Sequence, residues 1–165
     1  MKTIFLITFF CYIYADSIQL AELREVSSND TQRFSIGMSR FICQPYGVVT
    51  VEAMLQNKNM TPVCKQKIEN YFLINPKQKY FAELSLHVRQ NYHIEFKDSK
   101  CLVYAFGEKT LSEALVEKGV AIKKQNFNDD EFKFLFEKAQ QKAKKSHQGI
   151  WSDIALQTCI LGVYK

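Results

Sequence analysis

Cysteine is the residue type in this sequence whose spacing most directly suggests chemistry. Four of the five cysteines in the 165-residue chain lie beyond its first fifteen residues: Cys43, Cys64, Cys101 and Cys159. An even number favours two disulfides, for which a sequence alone allows three connectivities. We favour a Cys43–Cys64 bridge, since closing a loop of about twenty residues would stabilise the fold by roughly 3 kcal/mol. The alternatives are four buried free thiols and a zinc site, for which no C-x-x-C pair supplies the ligand spacing.

Two other groups of polar side chains have both a chemical and a structural interpretation. His87 and His93 could form a general acid–base pair, but they flank a predicted helix-to-strand junction without a nearby nucleophile. We therefore expect ordinary surface or half-buried histidines. Several lysines near the end of the last long predicted helix could bind phosphate, but they also match the negative end of the helix dipole, and we favour that interpretation. These are Lys138, Lys142, Lys144 and Lys145.

The first fifteen residues have the pattern of a secretory signal peptide. Lys2 gives a positive start, residues 3–14 are almost wholly apolar, and the small residue Ala15 precedes Asp16, where we expect cleavage. The apolar run is shorter than the roughly twenty residues that span a bilayer, which argues against an uncleaved anchor. Removing it takes away one lysine and no acid, so the net charge falls from +5 to +4. We expect a periplasmic or secreted protein, without a transmembrane segment after cleavage.

Hydrophobic periodicity predicts the elements that must position these side chains. Alternating apolar and polar residues predict strands over 17–26 and 31–42, joined by the polar turn 27–30. Residues 62–72 and 77–90 have the composition and spacing of helices, separated by Asn75-Pro76. A strand hairpin over 93–96 and 102–106 follows. Next we expect a helix over 110–118 that ends at Gly119, and a brief strand over 120–122. A long helix over 129–146, with Asn128 as its N-cap, comes last.

Four segments in the C-terminal half carry a resemblance to a known family. They are IEF at 94–96, CLVY at 101–104, LSEALVEKGVA at 111–121 and GIWS at 149–152. In type, order and spacing they resemble the strand pair, the N/S-E-A-L-V-x-x-G-x-A helix and the G-[IL]-W ending of staphylococcal nuclease-like domains. The resemblance covers residues 76–153 and implies an α+β fold, a five-stranded OB-type barrel flanked by about three helices. No proline-rich linker or low-complexity run interrupts the chain, so we expect one domain over 16–153, with a tail over 154–165. Its half over 16–75 is diverged and adds an extra, partly helical N-terminal segment to the family fold.

The catalytic motifs of that family are degenerate in this sequence. The family holds a calcium ion with carboxylates and stabilises phosphate charge with two arginines. Its D-G-D-T-like turn corresponds to residues 27–31, which contain one carboxylate. Its R-x-x-x-x-D-x-P-E motif has no match: starting at Arg33 places Met38 and Phe41 at the acids, and starting at Arg40 places Pro45 and Val48 there. Lys100 stands at the second arginine and cannot make a bidentate phosphate contact.

These departures predict an exported domain that has lost catalysis, has no cofactor and binds proteins of the cell envelope. A trans-envelope machine, such as a flagellar motor or a secretion system, would be one host. Residues of the insertion-like segment 44–75 would form the partner surface or complete the protein's own core: Tyr46, Met54, Leu55, Tyr71 and Phe72.

Two alternative functions are kept beside this one. The first is a secreted calcium-dependent nuclease that recruits acids from other positions, for which Asp30, Glu52, Glu69 and Asp98 are the candidates. The second is a non-hydrolysing nucleic-acid binder that stacks bases beside a basic groove. Its candidate residues are Tyr80, Phe81, Tyr92, His93 and Lys100.

Overall fold

A computed structural model describes residues 18–163 of the chain. The predicted signal peptide and its expected cleavage site at Ala15 and Asp16 lie outside the described residues. Within them the fold is mixed α+β, as predicted from the resemblance. No helix among these residues is long and apolar enough to cross a membrane.

Within residues 18–163, six strands form one antiparallel sheet and two short strands form a second pair. The order in the larger sheet is β3-β2-β1-β5-β6-β7, and β4 pairs with β8. The strand bounds are β1 Gln19–Val26, β2 Gln32–Ile36, β3 Ser39–Cys43, β4 Val48–Thr50, β5 Asn91–Lys97, β6 Lys100–Phe106, β7 Lys109–Thr110 and β8 Ala121–Lys123.

The residues that directly follow β3 contact the start of β6, across the larger sheet. Pro45 forms an isolated parallel bridge with Cys101, through hydrogen bonds from Cys101 N to Gln44 O and from Tyr46 N to Cys101 O, each 3.0 Å. The sheet therefore curves as an OB-type fold would. It has six strands, however, where the resemblance implied five.

The predicted strand over 31–42 is wrong in one respect, because it is a hairpin. Gly37 has a φ of 58°, a left-handed conformation that glycine adopts without steric cost, and the chain reverses there between β2 and β3. Alternation continues on both sides of the turn, so periodicity alone did not reveal it. Phe34 and Phe41 consequently lie opposite each other on the inner face.

Seven α-helices and one 3₁₀ helix pack around the strands in the described part of the chain. Their bounds are α1 Val51–Leu55, α2 Pro62–Ile74, α3 Pro76–Lys79, α4 Phe81–Ser85, α5 Leu111–Glu117, α6 Asp130–Lys145, the 3₁₀ helix Gly149–Ser152 and α7 Ile154–Val163. The count exceeds the three helices that the resemblance implied.

Two helix predictions need correction. The helix predicted over 77–90 is two short helices, α3 and α4, and the chain leaves helical geometry at Leu86 (ψ 143°). The N-cap of α6 is Asp129 rather than Asn128: its Oδ1 accepts hydrogen bonds from the backbone N–H groups of Glu131 and Phe132.

Buried apolar residues form two clusters. The first lies between the larger sheet, α5 and α6, and includes Leu23, Phe34 and Phe136. The second lies between α1, α2, the 3₁₀ helix and α7, and includes Met54, Phe72 and Trp151. Because α7 covers this second cluster, residues 154–163 pack back on the fold.

Two disulfides join these layers, and the favoured Cys43–Cys64 pairing is wrong. Cys43 at the end of β3 bonds to Cys101 in β6, and Cys64 in α2 bonds to Cys159 in α7. The loop-length argument failed because the bridge between Pro45 and Cys101 brings β6 beside the end of β3, while Cys64 belongs to the helical layer.

Candidate functional site

The turn between β1 and β2 holds its one carboxylate against the start of α1. Asp30 accepts hydrogen bonds from Thr50 Oγ1 at 2.9 Å and from Gln44 Nε2 at 3.1 Å. Thr50 is the N-cap of α1, and its Oγ1 also accepts from the backbone N–H of Ala53. Both carboxylate oxygens of Asp30 therefore accept hydrogen bonds from residues whose positions are fixed by the sheet and by the start of α1.

Glu52, in the first turn of α1, is the second carboxylate at this place. Burial raises its pKa to about 7, and the nearby charge of Asp30 acts in the same direction. Its Oε1 accepts a hydrogen bond from Asn29 Nδ2 at 2.7 Å, whereas its Oε2 is buried without a partner among the described residues. The structure thus brings together two of the four acids proposed for a diverged site.

The remaining two candidate acids lie elsewhere. Glu69 is exposed on α2, and Asp98 is exposed in the β5–β6 turn with a φ of 48°. Within residues 18–163 no group of three or more His, Cys, Asp or Glu side chains could hold a metal ion.

Asn29 positions the β1–β2 turn through several hydrogen bonds, a role that its place in a polar turn did not indicate. It is fully buried, and its Nδ2 also donates to the carbonyls of Gln78 and Lys79 at 3.1 and 3.0 Å. Its Oδ1 accepts from the backbone N–H of Ala82 at 2.8 Å. One side chain therefore ties the β1–β2 turn to α1, α3 and α4.

The two candidate cations of the family mechanism line different grooves. Arg33 is on the outer face of β2, opposite Ile42, and its Nε lies 3.6 Å from Glu25 Oε2. Lys100, at the start of β6, lines an open pocket of about 490 Å³. Other residues that line this pocket include Tyr46, Asp98, Lys124, Asn126 and Asp129.

A charge network that sequence analysis missed borders this pocket. Lys97 Nζ lies 3.1 Å from Glu95 Oε1, 3.3 Å from Asp129 Oδ2 and 4.8 Å from the centre of the Phe132 ring. Burial lowers the pKa of Lys97, but its hydrogen bonds and ion pairs with Glu95 and Asp129 outweigh that effect, so the pKa is raised. The sequence separation of 32 between Lys97 and Asp129 explains why no local pattern indicated the contact.

Two tyrosines complete this network. Tyr46 donates to Asp129 Oδ2 at 3.2 Å, and burial together with that carboxylate raises its pKa to about 12. Tyr104 donates to Glu95 Oε2 at 2.8 Å, and burial together with Glu95 raises its pKa as well. Both phenols are therefore neutral donors at physiological pH, and they hold the carboxylates in place.

The other sequence predictions have mixed outcomes. His87 and His93 are both exposed, in agreement with the expectation of ordinary surface histidines.

Among the residues proposed to stack bases, Tyr92 is only 5% exposed and belongs to the core, so it offers no stacking surface. Of the proposed partner surface, Tyr46, Met54 and Phe72 are buried, as the alternative of a self-made core predicts.

Comparison with known proteins agrees with the resemblance. Residues 87–153 match the sequence model of the staphylococcal nuclease homologue family. This match covers β5, β6, α5 and α6 and ends after the 3₁₀ helix, which are the segments that the motifs had indicated. No curated protein sequence matches the chain.

Proposed function

We propose that this chain, whose residues 87–153 match the staphylococcal nuclease homologue family, is an exported domain that binds envelope proteins and does not cleave phosphodiesters. The observation that carries the proposal is the separation of Arg33 from Lys100. Hydrolysis of a phosphodiester requires positive charge that converges on the phosphate in the transition state. Here the guanidinium and the ammonium line two different grooves, and Arg33 is paired with Glu25.

The residues beside Asp30 do not fit the calcium ion that the family uses. Calcium takes six to eight oxygen ligands at roughly 2.3–2.6 Å, several of them carboxylate oxygens. Asp30 and Glu52 supply two carboxylates, and the hydrogen bonds from Thr50, Gln44 and Asn29 already engage three of their four oxygens. Asp30 and Glu52 therefore do not make a calcium site of the family's kind.

The two disulfides and the compact second core support a role outside the reducing cytoplasm. Disulfides persist in oxidising compartments, and here they fix β3 to β6 and α2 to α7. A rigid body with this architecture suits a structural component of an envelope assembly, such as a flagellar motor or a secretion system. We propose the periplasm or the cell exterior as its location.

The first test of this function measures hydrolysis. Labelled single- and double-stranded DNA and RNA are incubated with the oxidised chain from Asp16, once with calcium and once with a chelator, beside its Lys100→Ala variant. We expect no cleavage above background in any sample. Calcium-dependent cleavage that the variant loses would overturn the proposal.

The second test looks for a partner. The oxidised chain is used as bait on solubilised envelope fractions, and the fully reduced, unfolded chain is the matched control. We expect a stoichiometric protein that only the folded chain retains. If the folded chain retains none, the interaction role is wrong even when hydrolysis is absent.

One observation favours a second candidate function, a hydrolase with a diverged site. A carboxylate with a pKa near 7 has the protonation behaviour of a general base at physiological pH, and Glu52 has such a pKa beside Asp30. Activity of this kind would be abolished by Glu52→Gln and kept in the exposed control variant Glu69→Gln. Equal activity in the two variants would remove Glu52 from consideration.

A further inference from the structure

Three arginines lie together on the outer face of the strands β1, β2 and β3. Ser35 in β2 faces Arg40 in β3 across the ladder, and Arg24 Nε donates to Ser35 Oγ at 2.7 Å from the other side. Arg33 lies two residues before Ser35 and therefore on the same face of β2. We call Arg24, Arg33 and Arg40 the arginine face.

The arginine face has one positive charge in excess of its acids. Arg24 pairs with Glu22 at 2.9 Å and Arg33 pairs with Glu25 at 3.6 Å, whereas the Arg40 guanidinium has no hydrogen bond or ion pair within residues 18–163. Both ion pairs are exposed to solvent, and such pairs contribute little stability. An incoming carboxylate can therefore bind Arg40 and replace Glu25 at Arg33 at low cost.

Apolar side chains adjoin these charges. An open groove of about 440 Å³ runs between Arg24, Arg33 and Arg40 and is also lined by Ile42, which lies on the same face. Ile42 is 57% exposed, and Met38 in the adjoining turn is fully exposed. A ligand that fits this surface has both negative charge and apolar side chains.

The strand β3 also has a free edge. It is the terminal strand of the sheet, and in the described part of the chain residues 39–42 form backbone ladder bonds with β2 alone. The outward N–H and C=O groups of such a strand can pair with an extended peptide, which adds to the sheet as a further strand.

We propose that the arginine face and the free edge of β3 bind an extended acidic segment of a partner protein. The segment pairs with the backbone of residues 39–42 and places carboxylates against Arg40 and Arg33, whose planar guanidinium groups suit bidentate contacts. Its apolar side chains contact Ile42 and Met38. This inference rests on the proposed protein-binding function and names the surface and the partner chemistry.

The same face is poorly suited to nucleic acid. Glu22 and Glu25 lie among the arginines, where they would repel the continuous negative charge of a phosphate backbone. A peptide instead has neutral and apolar positions between its acids. Its backbone can also pair with a strand edge, which a nucleic acid cannot do.

The test is a fluorescence anisotropy titration of the oxidised chain with a labelled decapeptide of alternating Glu and Val. A decapeptide of alternating Lys and Val is the charge control. The protein variants are Arg40→Glu and, with the same change in charge, Lys58→Glu, an exposed lysine in the loop after α1. We expect the acidic peptide to bind and the basic peptide not to bind. Arg40→Glu should lower the affinity for the acidic peptide about tenfold or more, which is the effect of losing a charged hydrogen bond. Lys58→Glu should bind as the parent chain does.

Three outcomes would overturn the inference. In the first, the acidic peptide shows no saturable binding. In the second, Arg40→Glu and the parent chain bind the peptide equally well. In the third, a labelled 20-nucleotide single strand binds more strongly than the peptide does. Each outcome is distinct from failure of the proposed function. A partner captured from envelope fractions equally well by Arg40→Glu and the parent chain would leave the protein-binding role intact and place it on another surface.

Discussion

Asn29 Nδ2 donates a hydrogen bond to Glu52 Oε1 at 2.7 Å, and this contact joins the β1–β2 turn to the first helix. The acceptor is a carboxylate that burial has made hard to ionise, with a pKa raised from 4.5 to about 7. A protonated Glu52 can still accept this bond at Oε1, while its buried Oε2 carries the proton. The contribution of Glu52 to the free energy of unfolding therefore depends on pH.

Replacing Glu52 with Gln should stabilise the fold at neutral and alkaline pH. Because the folded-state pKa is raised, the wild-type chain loses stability as pH rises from about 4.5 to about 7, and the loss is complete above pH 7. The glutamine keeps the acceptor for Asn29 and has no charge to bury. We expect the unfolding free energies of the two chains to agree near pH 4 and to differ by on the order of 3 kcal/mol at pH 8.

Urea unfolding at pH 4, 6 and 8 measures this difference. The control is Glu69→Gln, which removes an exposed carboxylate from α2. A Glu52→Gln difference that does not change with pH would contradict the assignment of a buried, neutralised carboxylate.

Removing the cation of the Lys97 network should destabilise the fold strongly. Lys97→Met keeps much of the side-chain volume but leaves Glu95, which is 8% exposed, without its counter-ion. Breaking a buried pair in this way costs about 3–5 kcal/mol. The double variant Lys97→Met/Glu95→Gln should recover most of the loss, because the more deeply buried carboxylate is then neutral, while Asp129 keeps its hydrogen bonds from Tyr46 and from the start of α6. Unfolding free energies that are simply additive would show that the two residues do not interact.

Removing the Cys43–Cys101 disulfide should lower the free energy of unfolding by about 4 kcal/mol, the loop-closure value for its separation of 58 residues. The double variant Cys43→Ala/Cys101→Ala is compared with the parent chain by chemical denaturation under non-reducing conditions. Peptide mapping of the parent chain should recover Cys43 linked to Cys101, and Cys64 linked to Cys159. Recovery of a Cys43–Cys64 peptide would show that the connectivity is wrong.

Gly119 and Gly107 provide a matched pair of substitutions. Both have positive φ, 66° and 71°, so alanine is strained at either position by about 1–2 kcal/mol. A Cβ at Gly119 would also lie 2.1 Å from the carbonyl oxygen of Gln148, whereas a Cβ at Gly107 meets nothing within 4 Å. We expect Gly107→Ala to lower the melting temperature by a few degrees and Gly119→Ala to prevent stable folding. Equal melting temperatures would contradict the close packing of α5 against the end of α6.

The sequence predicted the C-terminal half of the fold well because its signals there are local. Strand alternation at 93–96 and 102–106 led to β5 and β6, and the helix that ends at Gly119 is α5. Each of these signals depends on neighbours within a few residues, and the family match to residues 87–153 agrees with them.

The disulfide pairing and the candidate site depend on contacts between residues that are distant in the sequence, and no local pattern indicates such contacts. Cys43 and Cys101 meet because the curved sheet brings β3 to β6, and a loop-length argument cannot anticipate that. Asn29 is a residue type that is common in turns, yet its side-chain amide forms hydrogen bonds with three helices. Asp30 and Glu52 were both candidates among the acids, but only the fold shows that these two meet and that Glu69 and Asp98 do not.

The order of the four cysteines along the chain has a consequence for resistance to proteases. The two disulfides interleave: the span from 43 to 101 overlaps the span from 64 to 159. A single backbone cut anywhere between residues 44 and 158 therefore leaves two pieces that are still covalently joined, and a cut between 64 and 101 leaves them joined twice. No single cut in this range therefore releases either piece, whether the protein is folded or unfolded.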